Sequence, residues 1–123
     1  MIGPPRRFAI LEHRWAGVHW DFLVEDGSSL RTWAIDAPIE ADADLPARVL
    51  PAHRLIYLDY EGEVSGGRGT VERWDSGSCE VLEWGEGRVR LAVRGGQLVG
   101  LVELRRVGDE DPRRWLFRFG KLS

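Results

Sequence analysis

The chain has 123 residues, a single cysteine and a formal net charge of −3; this fits one domain over residues 1–123 that buries a core without disulfides or structural metal. A lone Cys79 excludes an internal disulfide. No apolar run approaches the roughly 20 residues of a membrane span, and the N-terminal stretch lacks the apolar segment of a secretory signal, so a soluble cytoplasmic protein is the default expectation. Among the 17 basic residues Lys121 is the only lysine. Arginine grips phosphate in a planar, bidentate way that lysine cannot match, but a GC-rich coding sequence produces the same bias, so composition leaves the partner open. Six tryptophans are many for this length. Most belong in a core, and one or two can serve as stacking platforms for bases.

Taken in chain order, the pattern is strand, turn, strand. Arg7–Leu11 reads as the first strand. His19–Val24 alternates, with Trp20, Phe22 and Val24 on one face and His19, Asp21 and Leu23 on the other. Glu25-Asp26-Gly27-Ser28 is a turn, and Leu30–Ile35 returns as the hairpin partner. Residues 36–52 hold three prolines with acids and alanines and read as a loop with at most one short helical turn. Leu55–Val64 is mixed strand and turn, and Ser65-Gly66-Gly67-Arg68-Gly69 is a glycine-rich loop. Val71–Trp74, Ser78–Trp84, Arg88–Arg94 and Leu98–Val107 follow as strands. They are separated by Asp75-Ser76-Gly77, Gly85-Glu86-Gly87 and Gly95-Gly96. Trp115–Phe119 closes the chain. Several short strands with glycine turns and no sustained helical period predict an all-β fold, a small barrel or sandwich.

The residues that carry chemistry fall in the first half. His19 and Asp21 are two apart on a predicted strand, so imidazole and carboxylate leave the same face. His13, just past the preceding strand, can fold over that face. Two imidazoles and a carboxylate bind Mn²⁺, Fe²⁺ or Zn²⁺ and leave positions open for substrate or water. An isolated His-x-Asp is also what a half-buried structural histidine looks like. His53, in Pro51-Ala52-His53-Arg54, can hydrogen-bond a phosphate oxygen or protonate a leaving group, and Tyr57 can donate to the same oxygen. Ser65–Thr70 offers backbone N–H groups and Arg68 to an anion, or merely shapes a corner. The loop has no Walker-type lysine, which argues against nucleoside triphosphate binding. Cys79 has no neighbouring histidine and reads as a packing residue.

These motifs resemble the 3′-phosphoesterase domain of bacterial DNA ligase D. Phe8-Ala9-Ile10-Leu11-Glu12-His13 followed by Val18-His19-Trp20-Asp21-Phe22-Leu23-Val24-Glu25 is similar to that family's F-V-V-x-x-H and L-H-Y-D-F-R-L-E. Thr32-Trp33-Ala34-Ile35, the stretch Ala52–Gly62, the stretch Gly67–Gly77 and Trp115–Phe119 resemble further family motifs, in order along the chain. The resemblance implies a small β-barrel with a crescent-shaped groove and a metal held by His13, His19 and Asp21, typically Mn²⁺. It implies His53 and Tyr57 on the phosphate, and removal of a 3′-terminal ribonucleoside and then of the 3′-phosphate from a primer strand. It further implies nucleic-acid 3′ ends as partner; a ligase or polymerase acting in trans and a monomeric state are working expectations that the sequence itself leaves open.

Three positions depart from the pattern. Family cations are replaced by Gly17, Leu23 and Ala37. Arg14, Arg48, Arg54 and Arg68 lie close in sequence to the retained residues and are the expected replacements, with Arg68 the foremost. Two other readings stay open: a non-catalytic module that binds nucleic-acid ends or protein, and an Fe(II) oxygenase using His19, Asp21 and His53, with His13 off the metal.

Overall fold

The computed structural model describes residues 3–121. The strands are β1 (Arg6–Arg14), β2 (Val18–Asp26), β3 (Ser29–Ile35), β4 (Asp44–Arg54), β5 (Gly62–Glu63), β6 (Thr70–Trp84), β7 (Arg88–Gly95), β8 (Val99–Arg106) and β9 (Arg114–Lys121), with one 3₁₀ turn at Leu55–Leu58. Hydrogen-bonded neighbours run β1-β2-β3-β4-β9-β8-β7-β6, and β6 pairs back onto β1. The result is a closed antiparallel barrel of eight strands, with β5 as a short addition to β6. Closure leaves the long strands no free edge to aggregate through. Among the described residues no helix is long and apolar enough to cross a membrane.

Alternation with period two decides what each strand buries. One face fills the barrel. Phe8 and Ile10, Phe22 and Val24, and Trp33 and Ile35 meet Leu91, Leu104 and Phe117 inside it. The Phe22 ring centroid lies 5.7 Å from those of both Phe8 and Phe117, and each such side chain contributes about 1.5–3 kcal/mol by leaving water. In a plain barrel the other face would be wet. Here Ala9, Leu11, Leu23, Leu30 and Val71 form a second apolar cluster on the outside of the wall. Leu58, Tyr57, Tyr60 and Val64, from the crossover that leads from β4 to β6, cover it. One stretch of wall is therefore packed on both sides, and the candidate site is built at its margin.

Two expectations are corrected. The predicted loop 36–52 contains most of β4, which pairs with β3 on one side and β9 on the other. Its prolines do not break it: Pro46 still offers its carbonyl to the Asp36 N–H, and Pro51 falls where the register against β3 slips. The expected turn at Asp75-Ser76-Gly77 does not interrupt β6, which runs on through it. Asp75 turns its buried carboxylate across to the β7–β8 connection, accepting from the backbone N–H groups of Gly96, Gln97 and Leu98 at 2.7, 3.1 and 2.8 Å. A side chain on Gly95 would collide with that carboxylate and with Phe8. The turn signal was real, but the carboxylate caps a different turn from its own.

Asp75→Ala is expected to destabilise the fold by roughly 2–4 kcal/mol, because each buried N–H left without an acceptor costs about 1–3 kcal/mol and water recovers part of it. Urea unfolding with an unchanged m-value checks this; a loss below about 0.5 kcal/mol would show that the cap is dispensable.

Candidate functional site

The β1–β2 register sets His13 opposite His19 and Leu11 opposite Asp21. His13 thus lies within β1 and not past its end, and period two puts His13, His19 and Asp21 on the same outer face. Asp21 Oδ2 is 3.3 Å from His13 Nδ1 and Oδ1 is 3.0 Å from His19 Nε2. The carboxylate side chain is only 4% exposed. One ligand atom from each of the three residues can be chosen so that all lie within 4.8 Å of one another. Among the described residues this is the group that converges as metal ligands do, and His53 is outside it.

The tautomer of His13 follows from its other neighbour. Its Nε2 lies 2.7 Å from the Arg68 carbonyl oxygen, which can only accept, so Nε2 carries the hydrogen. The neutral ring then aims the Nδ1 lone pair at a carboxylate oxygen, an arrangement that calls for a cation between them, either a proton or a metal ion. Contact with Asp21 accordingly raises the His13 pKa above its ordinary 6.5, against the opposing effect of burial. For Asp21, burial pushes the carboxyl up, but the two imidazoles outweigh it and hold it below the usual 3.8. Although Oδ1 is close to His19, it makes no aligned hydrogen bond and is buried without a partner. An orphaned carboxylate oxygen beside two imidazole nitrogens is a donor set that fits a borderline divalent ion such as Mn²⁺ or Zn²⁺.

A tight crossing delivers the Arg68 carbonyl. Gly69 has φ +77°, and a Cβ there would collide with the Arg14 carbonyl oxygen and press on Trp15. Only glycine lets the loop ride this close over the end of β1. The glycine loop therefore orients His13, which is a more specific role than shaping a corner.

The triad opens into a cleft of about 430 Å³, also lined by Trp15, His53, Tyr57 and Arg54. His53 reaches this face through an irregularity. In unbroken alternation it would follow Leu45 and Ala47 into the barrel. Instead β4 shifts register so that Leu50 pairs with Thr32 but His53 with Leu30. The additional residue reverses the phase and turns His53 outward. Its Nδ1 donates to the Pro51 carbonyl at 2.8 Å, which leaves Nε2 as its second polar atom. Tyr57 stands edge-on to it, ring centroids 5.7 Å apart, and rests on the outer apolar cluster.

The four arginines are placed unequally. Arg48 lines the cleft but is held bidentately by Asp36 at 2.8 and 2.9 Å. Arg68 lines it with its guanidinium donating to Ser65 O at 2.8 Å. Arg54 lines it with no ion pair among the described residues. Arg14 leaves the opposite face of β1, pairs with Glu12 at 2.8 Å and does not line the cleft. The three departures have local causes. Leu23 is fully buried in the outer cluster, Ala37 packs on the barrel core, and Gly17 occupies a hairpin position at φ +113° that disfavours any side chain. Trp15, which sequence reasoning did not single out, sits in that same hairpin.

A family model described as the DNA ligase D 3′-phosphoesterase domain matches residues 11–106. The multifunctional non-homologous end joining protein LigD of Mycobacterium bovis is 29% identical over 125 aligned positions, which cover 94% of this chain and 16% of that protein. The multifunctional non-homologous end joining DNA repair protein LigD of Mycobacterium tuberculosis shows the same identity and coverage. The chain thus spans 16% of the length of these relatives. With the model matching most of the chain and the retained motifs converging on one cleft, the chain belongs to the DNA ligase D 3′-phosphoesterase domain family.

Proposed function

We propose that the cleft is a divalent-metal-dependent phosphoesterase site, Mn²⁺ being the expected ion, acting on nucleic-acid 3′ ends in end-joining repair. The observation that carries this reading is the convergence of His13, His19 and a buried, orphaned Asp21 oxygen at the floor of a cleft that also holds His53, Tyr57 and three arginines. When bound, the ion supplies Lewis-acid polarisation of a phosphoryl oxygen. The remaining steps belong to the chain's own residues. His53, with Nδ1–H fixed on Pro51, keeps Nε2 to hydrogen-bond a phosphate oxygen and, as imidazolium, to protonate the leaving ester oxygen as the oxygen of a water molecule bonds to phosphorus and that water gives up a proton to solvent. The Tyr57 hydroxyl donates to the same phosphate. Arg54 and Arg68 replace the cationic clamp lost at Gly17, Leu23 and Ala37. Arg48 serves less, because Asp36 already occupies its fork. The convergence of His13 rather than His53 with His19 and Asp21 does not support the oxygenase alternative. The other steps of end joining would come from other domains or from a ligase or polymerase acting in trans.

Mn²⁺-dependent release of 3′-phosphate from a primer-template is the direct test. His19→Ala should abolish it and weaken Mn²⁺ binding by more than ~100-fold, since losing even a group that merely orients a ligand costs about 10–100-fold. Wild-type protein that binds Mn²⁺ without releasing phosphate would favour the non-catalytic end-binding module.

Metal affinity should fall on acidification. A protonated imidazole cannot ligate, and the His13 pKa lies above 6.5, so Mn²⁺ affinity should already be falling before pH drops to 6.5, by up to about tenfold per pH unit for each ligand proton displaced. Calorimetric titrations at pH 6 to 8 in buffers of different ionisation enthalpy check both the slope and proton release; a flat profile contradicts it.

Restoring the family cation should not help. Leu23→Arg places a guanidinium among Leu11, Leu30 and Leu58 and should cost at least about 2 kcal/mol of stability with no gain in turnover. A more active, equally stable variant would show that Leu23 is not committed to packing.

A further inference from the structure

We propose that Trp15 is a nucleobase-stacking platform, so that this cleft binds the terminal nucleoside of a strand by its π-face and tolerates any base. The inference rests on reading the cleft as a phosphoester site. It starts from the placement of the six tryptophans. Trp33 and Trp115 are core residues, and Trp20, Trp74 and Trp84 are partly buried against that core. Trp15 alone is outside the barrel, half exposed, and lines the cleft. No packing requirement of the fold explains a large apolar ring at that point.

The ring is also positioned for the task. Trp15 lies near-parallel to His13, with an interplanar angle of 20° and centroids 6.3 Å apart, so it sits beside the metal triad. Its backbone is held by the hairpin, where its N–H donates to Gly17 O at 2.9 Å and Ala16 and Gly17 take positive φ. The close passage of Gly69 restricts its Cβ from below. With its backbone held and only two side-chain torsions to order, such a ring loses little entropy when it binds a flat ligand. Arg54 and Arg68 supply cations for phosphate in the same cleft, and a stacking ring beside cations is the arrangement that binds single-stranded ends without reading sequence. The cleft's polar side chains are the triad, His53, Tyr57 and three arginines, which the proposed site commits to the metal and the phosphate, and the rest of the lining besides Trp15 is apolar (Leu11, Leu50, Pro51, Ala52, Val64 and Val71), which favours stacking over hydrogen-bond readout of a base.

The test measures binding and not turnover. Fluorescence anisotropy would follow a short oligonucleotide with a 3′-terminal phosphate, labelled at its 5′ end, against wild type, Trp15→Ala and Trp15→Phe, with a second probe whose terminal residue is abasic. Trp15→Ala should weaken binding of the intact probe about tenfold, Trp15→Phe should recover most of it, and neither change should matter for the abasic probe. The four terminal bases should bind wild type within a few-fold of one another. Equal affinity of wild type and Trp15→Ala, an equal loss on both probes, or no binding by wild type would overturn the inference. A protein that binds in this way but releases no phosphate with Mn²⁺ would sink the phosphoesterase reading and leave the stacking assignment standing.

Discussion

The site depends on a buried carboxylate held between two imidazoles. Asp21 is almost wholly removed from water, and an isolated carboxylate in that position would be strongly disfavoured. It stays ionised because His13 and His19 approach its two oxygens from neighbouring strands. That requirement fixes much else. It demands the β1–β2 register that sets the two histidines opposite each other. It demands an acceptor for the far nitrogen of His13, which the Arg68 carbonyl provides, and it demands a glycine at position 69 so that the loop can come close enough to provide it. These groups leave the outer face of the wall, and the barrel interior, by fixing the phase of β1 and β2, makes any slip of one residue costly on both faces at once.

The doubly packed wall gives that arrangement its rigidity and its limits. Leu11, Leu23, Leu30 and Leu58 form a floor under the cleft's edge, and Tyr57 is seated on it. Family cations at positions 17, 23 and 37 would conflict with local demands of this chain: a hairpin at positive φ, an apolar outer layer and a core contact. Clamp and packing compete for the same surface, and here packing occupies it. Arg54 and Arg68, which also line the cleft, are less tightly sequestered than Arg48, whose fork Asp36 occupies.

Much of this was legible in the sequence, and the reason differs residue by residue. His19 and Asp21 were readable because strand alternation is a local rule, and Trp20 and Phe22 confirmed the phase. The all-β class was readable from short alternating runs and glycine turns. β4 was hidden because its prolines and alanines mimic a loop, while the partners that make it a strand, β3 and β9, lie on either side of it and one of them is distant in sequence. His53 could be named as a candidate but not oriented, since its outward direction depends on a register shift against β3 that no local pattern encodes. Asp75 looked like a turn residue and is one, for a turn some twenty residues away. The part played by the Arg68 carbonyl had no side-chain signal at all. Trp15 had a weak one: a tryptophan two residues after a candidate ligand, in a segment with no strand to pack it.

The measurement that bears most directly on the account is anomalous diffraction at the manganese edge from crystals of the protein grown with Mn²⁺. The expected result is a single strong peak bonded to His13 Nδ1, His19 Nε2 and an Asp21 oxygen, with His13 Nε2 still on the Arg68 carbonyl. A peak on His53, or fully grown crystals with no manganese at the triad, would contradict it.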